Sequence, residues 1–156
     1  MFWLDKTPGF YAIIDPDHCA THAHSLADEA LQGGCRALQC AQNRSTIAHS
    51  PNSPKRSAER CRDAHVPFIV NDRLDIALLV GADGVHLGQN DLPIADARAI
   101  DASICIGVST HSLEQARRAE AKAQTSSALV QFSRRTPKKT PILLWDSTRF
   151  ESSQTR

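Results

Sequence analysis

Two aspartates in the middle of the chain, Asp72 and Asp91, each closely follow a short apolar segment. Their carboxylate oxygens suit Mg²⁺, which usually takes one or two carboxylates together with substrate phosphates and water. Taken alone, each aspartate is more simply interpreted as a helix cap. Asp91, for example, lies just before Pro93, where a helix is expected to begin. Two such carboxylates at the ends of neighbouring predicted strands favour a shared metal site.

Further polar side chains stand where apolar segments end, at Gln39, Asn71 and Ser109. In a parallel α/β barrel the reactive groups lie at the carboxyl ends of the strands, where the loops converge. We therefore expect four successive strand ends to bring polar groups to one mouth.

The elements that would position these groups are short apolar segments in alternation with amphipathic ones. Strands that alternate with helices at such short spacing indicate βαβ units and a parallel sheet. Strands are predicted at residues 11–14, 37–39, 66–70, 84–87 and 104–108. Helices are predicted at residues 25–31, 74–80, 93–100 and 111–123.

Two segments interrupt this alternation. Residues 40–60 carry two prolines where a crossover helix should join two parallel strands, and we expect an irregular segment there. Residues 124–156 are polar and have little helical periodicity, which favours a poorly structured tail. Residues 1–123 are then expected to form an incomplete α/β barrel of about five to six βα units.

Composition narrows the classes of protein further. The 156 residues fall short of the roughly 200 that the smallest eight-stranded α/β barrels need. A net charge of +1 gives no global field to attract nucleic acid or anionic lipid. Without a long apolar segment or a signal-peptide core, we expect a soluble cytoplasmic protein. Five cysteines without a C-x-x-C pair indicate neither a disulfide framework nor a zinc site.

Longer motifs connect these residues. They are YAIID at residues 11–15, VPFIVNDR at 66–73, GADGVHLGQNDLP at 81–93 and GVSTHS at 107–112. Through them the sequence resembles the thiamine phosphate synthase family, loosely over residues 10–39 and closely over residues 61–122. The resemblance implies a fold of the (β/α)8 TIM-barrel type.

The resemblance also implies a transferase of thiamine biosynthesis. Such an enzyme joins hydroxymethylpyrimidine diphosphate to a carboxylated thiazole phosphate and releases diphosphate. By carry-over, Asp72 and Asp91 would hold Mg²⁺ on the diphosphate, and Gln39 and Asn71 would contact the pyrimidine substrate. Ser109 would bond the pyrimidine or the diphosphate. The implied partners are small-molecule substrates only.

A histidine at the start of the last predicted helix, His111, leaves an alternative open. A related branch of the family, the thiazole tautomerases, uses a histidine in this strand-end motif as an acid-base group. A neutral imidazole near pH 7 suits proton transfer. The simpler interpretation is that His111 caps or packs at the start of the helix.

The sequence departs from the family pattern in the same two segments that interrupt the periodicity. The family has Q-L-R-x-K after its second strand, where this chain has QCAQN at residues 39–43, so the arginine and the lysine are missing. The family also has G-F-G-P-V-F-P-T-x-T-K at its sixth strand. Residues 127–138 read SALVQFSRRTPK here, and only Lys138 falls in register with the family's lysine.

A hypothesis accounts for both departures: the gene carries two frame errors. A base lost after the Gln39 codon would leave the second-strand motif Q-L-R-x-K encoded in another frame. A base lost near Ala123 would do the same for the sixth-strand motif. On this hypothesis the chain is an inactive remnant with open barrel edges, which invite self-association. Nucleotide sequence across both sites tests it, and an intact written frame in close relatives would refute it.

Overall fold

Short apolar segments of the chain form strands, and the amphipathic segments between them form helices. The computed structural model describes residues 10–15, 26–41, 53–112 and 114–115, together with the backbone of two further strands at 128–132 and 142–144. The strands are β1 Phe10–Ile14, β2 Cys35–Cys40, β3 Phe68–Asn71, β4 Gly84–Leu87, β5 Cys105–Thr110, β6 Ala128–Phe132 and β7 Ile142–Leu144. The helices are α1 Leu26–Gln32, α2 Pro54–Asp63, α3 Leu74–Val80 and α4 Ile94–Ile100.

The strands form one sheet in the order β6-β5-β4-β3-β2-β1-β7. Neighbours from β1 to β6 are parallel and follow chain order, whereas β7 is antiparallel to β1. Parallel strands in chain order, joined by helices, are the arrangement of a (β/α) barrel. Within the described residues β6 and β7 do not pair with each other, so the barrel is incomplete, as the sequence predicts.

The two faces of the sheet differ in composition. The outer face packs against the helices and is apolar, with fully buried Leu38, Phe68 and Ile106 in one large cluster. Side chains at alternate positions face the other way, because successive residues of a strand point to opposite sides. That inner face has a small apolar cluster of Tyr11, Ala37 and Ile69. The remaining inner positions near the strand ends are polar.

Most of the predicted elements are confirmed. The helix at residues 74–80 and the strand at residues 84–87 have the predicted bounds, and the others agree to within two residues. The predicted helix at residues 111–123 lies largely outside the described residues. No helix of the described part is long and apolar enough to cross a membrane.

Two expectations from the sequence are wrong in part. Residues 54–60 belong to α2 rather than to an irregular segment, because Pro54 occupies the first turn, where its missing N–H costs nothing. Ser53 is the N-cap, and its hydroxyl accepts a hydrogen bond from the N–H of Arg56. The tail expected at residues 124–156 contributes β6 and β7, whose backbones pair with β5 and β1.

Two buried serines at the start of α2, Ser53 and Ser57, provide a matched test of the assignment of Ser53 as the N-cap. Ser53→Ala is expected to lower the free energy of unfolding by about 1 kcal/mol, because the helix loses its N-cap. Ser57→Ala should leave stability unchanged or raise it, since the buried Ser57 hydroxyl has no hydrogen-bond partner among the described residues. Urea denaturation of both variants measures the difference, and equal midpoints would contradict the cap.

Candidate functional site

Polar side chains on the inner face lie side by side near the carboxyl ends of β2 to β5. Gln39 is two residues after Ala37, and Asn71 is two residues after Ile69, so both belong to the inner face. Asn71 pairs in register with His86, and His86 pairs with Gly107. The parallel register therefore brings four polar residues together at the carboxyl ends of the strands. They are Gln39, Asn71, His86 and Ser109.

Hydrogen bonds join the first three strands at this edge. The hydroxyl of Tyr11 donates to Gln39 Oε1 at 2.8 Å. Gln39 Nε2 in turn donates to Asn71 Oδ1 at 2.6 Å. Tyr11 and Gln39 are both buried, at 8% and 4% exposed. Tyr11 thus supports Gln39 and, through it, Asn71, the two amides predicted to bind substrate. From the sequence alone, Tyr11 is expected only to be part of a strand.

The backbone turns sharply at Asp72, directly after β3. Its φ of 60° is uncommon for a residue other than glycine. The Asp72 N–H donates to the carbonyl of His86 at 2.7 Å, and the Arg73 N–H donates to the carbonyl of Asn71 at 2.7 Å. Backbone strain of this kind clusters at functional sites, where the surrounding structure must hold it in place.

This turn brings Asp72 to Asp91, which lies in the loop after β4. The two carboxyl groups are close enough to affect each other's protonation. Partial burial and the nearby carboxyl group of Asp91 together raise the pKa of Asp72 to about 6. Asp91 Oδ2 also accepts the N–H of Gly88 at 2.7 Å, and a side chain at Gly88 would clash with that oxygen. The pair brings two acidic side chains together at the ends of β3 and β4.

The chemistry of these two carboxylates fits Mg²⁺. Both side chains offer hard oxygens, and a divalent cation between them would offset the burial and the Asp91 charge that raise the Asp72 pKa. Within the described residues there is no group of three His, Cys, Asp or Glu side chains placed to hold a metal.

A buried histidine holds Ser109. His86 Nε2 lies 2.8 Å from Ser109 Oγ, and His86 is only 4% exposed. Burial lowers the pKa of His86 to about 4, so the ring is neutral near pH 7. Gly107 leaves room for this ring, because a Cβ there would lie 2.5 Å from His86 Nδ1. Gln89 also donates from its side chain to the Ser109 carbonyl.

His111 is exposed just beyond β5. Its backbone N–H donates to Gln115 Oε1 at 2.7 Å, while Ser112 Oγ accepts from the Gln115 N–H at 3.1 Å. Such reciprocal contacts are typical of a helix start. The structure therefore gives the His111 backbone a place in a helix-start arrangement, as the simpler interpretation holds. Lys138, the remaining predicted substrate-binding residue, lies outside the described residues.

These observations define a class of protein: an incomplete (β/α) barrel with a pair of acidic residues and a row of hydrogen-bonding side chains at its carboxyl edge. Comparison with known proteins agrees. The model of the family described as thiamine monophosphate synthase matches residues 10–141. The chain belongs to the thiamine monophosphate synthase family.

Individual relatives agree with this assignment. A thiamine-phosphate synthase of Deinococcus radiodurans is 48% identical over 120 residues, which cover 72% of this chain and 43% of that protein. A thiamine-phosphate synthase of Methanospirillum hungatei is 42% identical over 114 residues, which cover 72% of this chain and 55% of that one. The chain thus spans about half the length of the curated relatives it matches.

A solved structure supports the fold. The thiamine phosphate pyrophosphorylase from Pyrococcus furiosus matches with a TM-score of 0.70 and 31% sequence identity. The match covers 85% of this chain and 63% of that protein. The incomplete TIM-barrel fold expected from the sequence is therefore confirmed.

Sequence reasoning missed several features of this site. Tyr11 and His86 lie inside apolar strands, and the sequence alone indicates no role for them beyond those strands. Alternation along β1 and β4 was the available signal, because it places both residues on the same face as Gln39 and Asn71. The positive φ of Asp72 left no signal in the sequence, since aspartate is compatible with ordinary backbone conformations.

Gly107→Ala tests the packing that places His86. The new Cβ would lie 2.5 Å from His86 Nδ1, so the ring must move away from Ser109. We expect the free energy of unfolding to fall by about 1–3 kcal/mol, as in other overpacked cores. Urea denaturation measures this loss, and the double variant with His86→Ala should recover part of it. A Gly107→Ala protein as stable as the wild type would show that the ring is not confined.

The stability of the protein should depend on pH through two opposing groups. The raised pKa of Asp72 makes the folded state hold a proton between about pH 4 and pH 6, so this group stabilises the fold as the pH falls. The lowered pKa of His86 acts the other way, because the unfolded histidine takes up a proton below about pH 6.5.

Asp72→Asn removes the first contribution and leaves the second. The variant should therefore lose more stability than the wild type when the pH is lowered from 6.5 to 4.5. Urea midpoints at the two pH values measure the effect. A variant with the same or a smaller loss than the wild type would contradict the assignment of the raised pKa to Asp72.

Proposed function

We propose that this chain carries the pyrimidine-diphosphate half of a thiamine phosphate synthase site. The reaction transfers the methylpyrimidine group from its diphosphate to the nitrogen of a carboxylated thiazole phosphate and releases diphosphate. One observation carries the proposal: the paired carboxylates of Asp72 and Asp91 lie directly beside the hydrogen-bonded amides of Gln39 and Asn71. A diphosphate and a nitrogen heterocycle joined by one carbon require these two kinds of group next to each other.

In this proposal Asp72 and Asp91 bind Mg²⁺. The ion supplies neutralisation of the charge that collects on the leaving diphosphate. Loss of the diphosphate breaks the carbon–oxygen bond and leaves a cation at the carbon attached to the pyrimidine ring, which the thiazole nitrogen captures with its lone pair. The thiazole carboxylate then leaves as carbon dioxide, and the electron pair left on the ring carbon takes up a proton from water to give thiamine phosphate. Gln39 and Asn71 orient the pyrimidine ring, and Ser109, held by His86, bonds the pyrimidine or the diphosphate.

This chain should show little or no activity in this reaction. Ala41 stands where the family has an arginine, and Asn43, outside the described residues, stands where it has a lysine. The diphosphate thus lacks two charge-assisted contacts, each worth about 1.5–3 kcal/mol. The hypothesis of two frame errors in the gene explains why the arginine and the lysine are missing. The nucleotide sequence of the gene tests this hypothesis. The tautomerase alternative at His111 is not favoured, because the relatives reported above are named as synthases or pyrophosphorylases.

The remaining partners and the location are also part of the proposal. Small-molecule substrates are expected to be the ligands, without nucleic acid or membrane, and the protein is expected to act in the cytoplasm. The outer edge of β6 is unpaired among the described residues, and such an edge favours association with a second copy.

Calorimetric titration with the pyrimidine diphosphate, with and without Mg²⁺, tests the site. We expect Mg²⁺-dependent binding that Asp72→Asn or Asp91→Asn weakens at least tenfold. Asp75→Asn is the matched control, because Asp75 is exposed three residues from Asp72 and pairs with Arg73. Its binding should be unchanged. Binding that needs no Mg²⁺, or that all three variants weaken equally, would refute the proposal.

The same titration on Ala41→Arg examines the missing cation. This variant restores the arginine of the family motif directly after β2, and we expect about tenfold tighter binding. A coupled assay of thiamine phosphate formation should show little or no turnover by this chain. Turnover at the normal rate of the family would show that the two cations are dispensable.

A further inference from the structure

The roles proposed above leave one buried polar group on the inner face without a function, the hydroxyl of Tyr11. We propose that Tyr11 is a positioning residue for substrate recognition, which acts by holding the amides of Gln39 and Asn71 in the orientation that binds the pyrimidine. The inference rests on the proposed function of those two amides.

In both hydrogen bonds the donor lies on the earlier strand: Tyr11 of β1 donates to Gln39 of β2, and Gln39 donates to Asn71 of β3. Asn71 Oδ1 accepts from Gln39 at 2.6 Å, so the Asn71 Nδ2 is turned away from Gln39. Gln39 must then donate through Nε2, which turns its Oε1 toward Tyr11. Tyr11 closes the series as the donor to that oxygen at 2.8 Å.

The tyrosine hydroxyl matters because Gln39 is almost fully buried. Its amide oxygen has little access to water, and a buried acceptor that loses its donor costs more free energy than an ordinary hydrogen bond contributes. Burial also raises the pKa of Tyr11, so the phenol stays protonated and remains a donor. Without it, Gln39 would be expected to leave this position or to rotate, and Asn71 would lose its donor.

This arrangement limits what the two amides can offer a ligand. Each has its oxygen engaged with a neighbour, and Gln39 donates one N–H to Asn71, so both amides keep at least one N–H for a ligand. Groups of this kind recognise an acceptor, such as a nitrogen of a heterocyclic ring. In the proposed function the diphosphate would be recognised elsewhere, through the Mg²⁺ that Asp72 and Asp91 would hold. Tyr11 should therefore affect recognition of the ring without affecting recognition of the diphosphate.

Tyr11→Phe separates these two effects, because it keeps the aromatic ring and removes only the hydroxyl. In the presence of Mg²⁺ we expect about tenfold weaker binding of the pyrimidine diphosphate and unchanged binding of inorganic diphosphate. Ile13→Val is the control, since Ile13 packs on the same small inner cluster without a polar role. Its affinity for both ligands should equal that of the wild type.

The side-chain amide signals of Gln39 and Asn71 in ¹⁵N-labelled protein provide a readout that needs no ligand. In the wild type both amides should exchange slowly with water, and Tyr11→Phe should speed exchange at Gln39. Unchanged exchange, or equal weakening for both ligands, would overturn the inference. If wild-type protein binds neither ligand while the exchange result holds, the proposed function fails and the positioning of the amides stands.

Discussion

Parallel pairing in chain order is the constraint on which the site depends. Each strand from β1 to β5 ends at the same edge of the sheet, and the register sets Asn71 beside His86 and His86 beside Gly107. Residues that are distant in sequence thereby become neighbours: Tyr11 and Gln39 are 28 positions apart, and Gln39 and Asn71 are 32 apart. A shift by one residue in any strand would turn its polar group toward the helices.

The second organising feature is the pair of acidic side chains at the ends of β3 and β4. The strained turn at Asp72 brings its carboxyl group to that of Asp91, and this proximity adds to burial in raising the pKa of Asp72. The cost of this arrangement becomes understandable if the pair exists to bind a metal and a diphosphate. Where the family has two cations after the second strand, residues 39–43 of this chain have none, so the acidic half of the site is preserved without its basic half.

The outer strands of the sheet, β6 and β7, differ from the central strands in their pairing and in their relation to the proposed site. Among the described residues, β7 pairs antiparallel with β1 and covers an edge of the sheet, and β6 forms the opposite edge. The centre, from β1 to β5, contains every described residue of the proposed site. The chain spans about half the length of the curated relatives reported above.

The sequence by itself determined the family, the alternation of strands and helices from residue 66 to residue 110, and the candidate residues Gln39, Asn71, Asp72, Asp91 and Ser109. Local signals suffice for these, because apolar periodicity and specific motifs are written in consecutive residues. It did not determine α2, where Pro51 and Pro54 suggested a loop although Pro54 in fact begins the helix. Only the tertiary structure revealed the roles of Tyr11 and His86 and the backbone strain at Asp72. Those depend on register and burial, which arise when separate strands pair and cannot be deduced from any one segment alone.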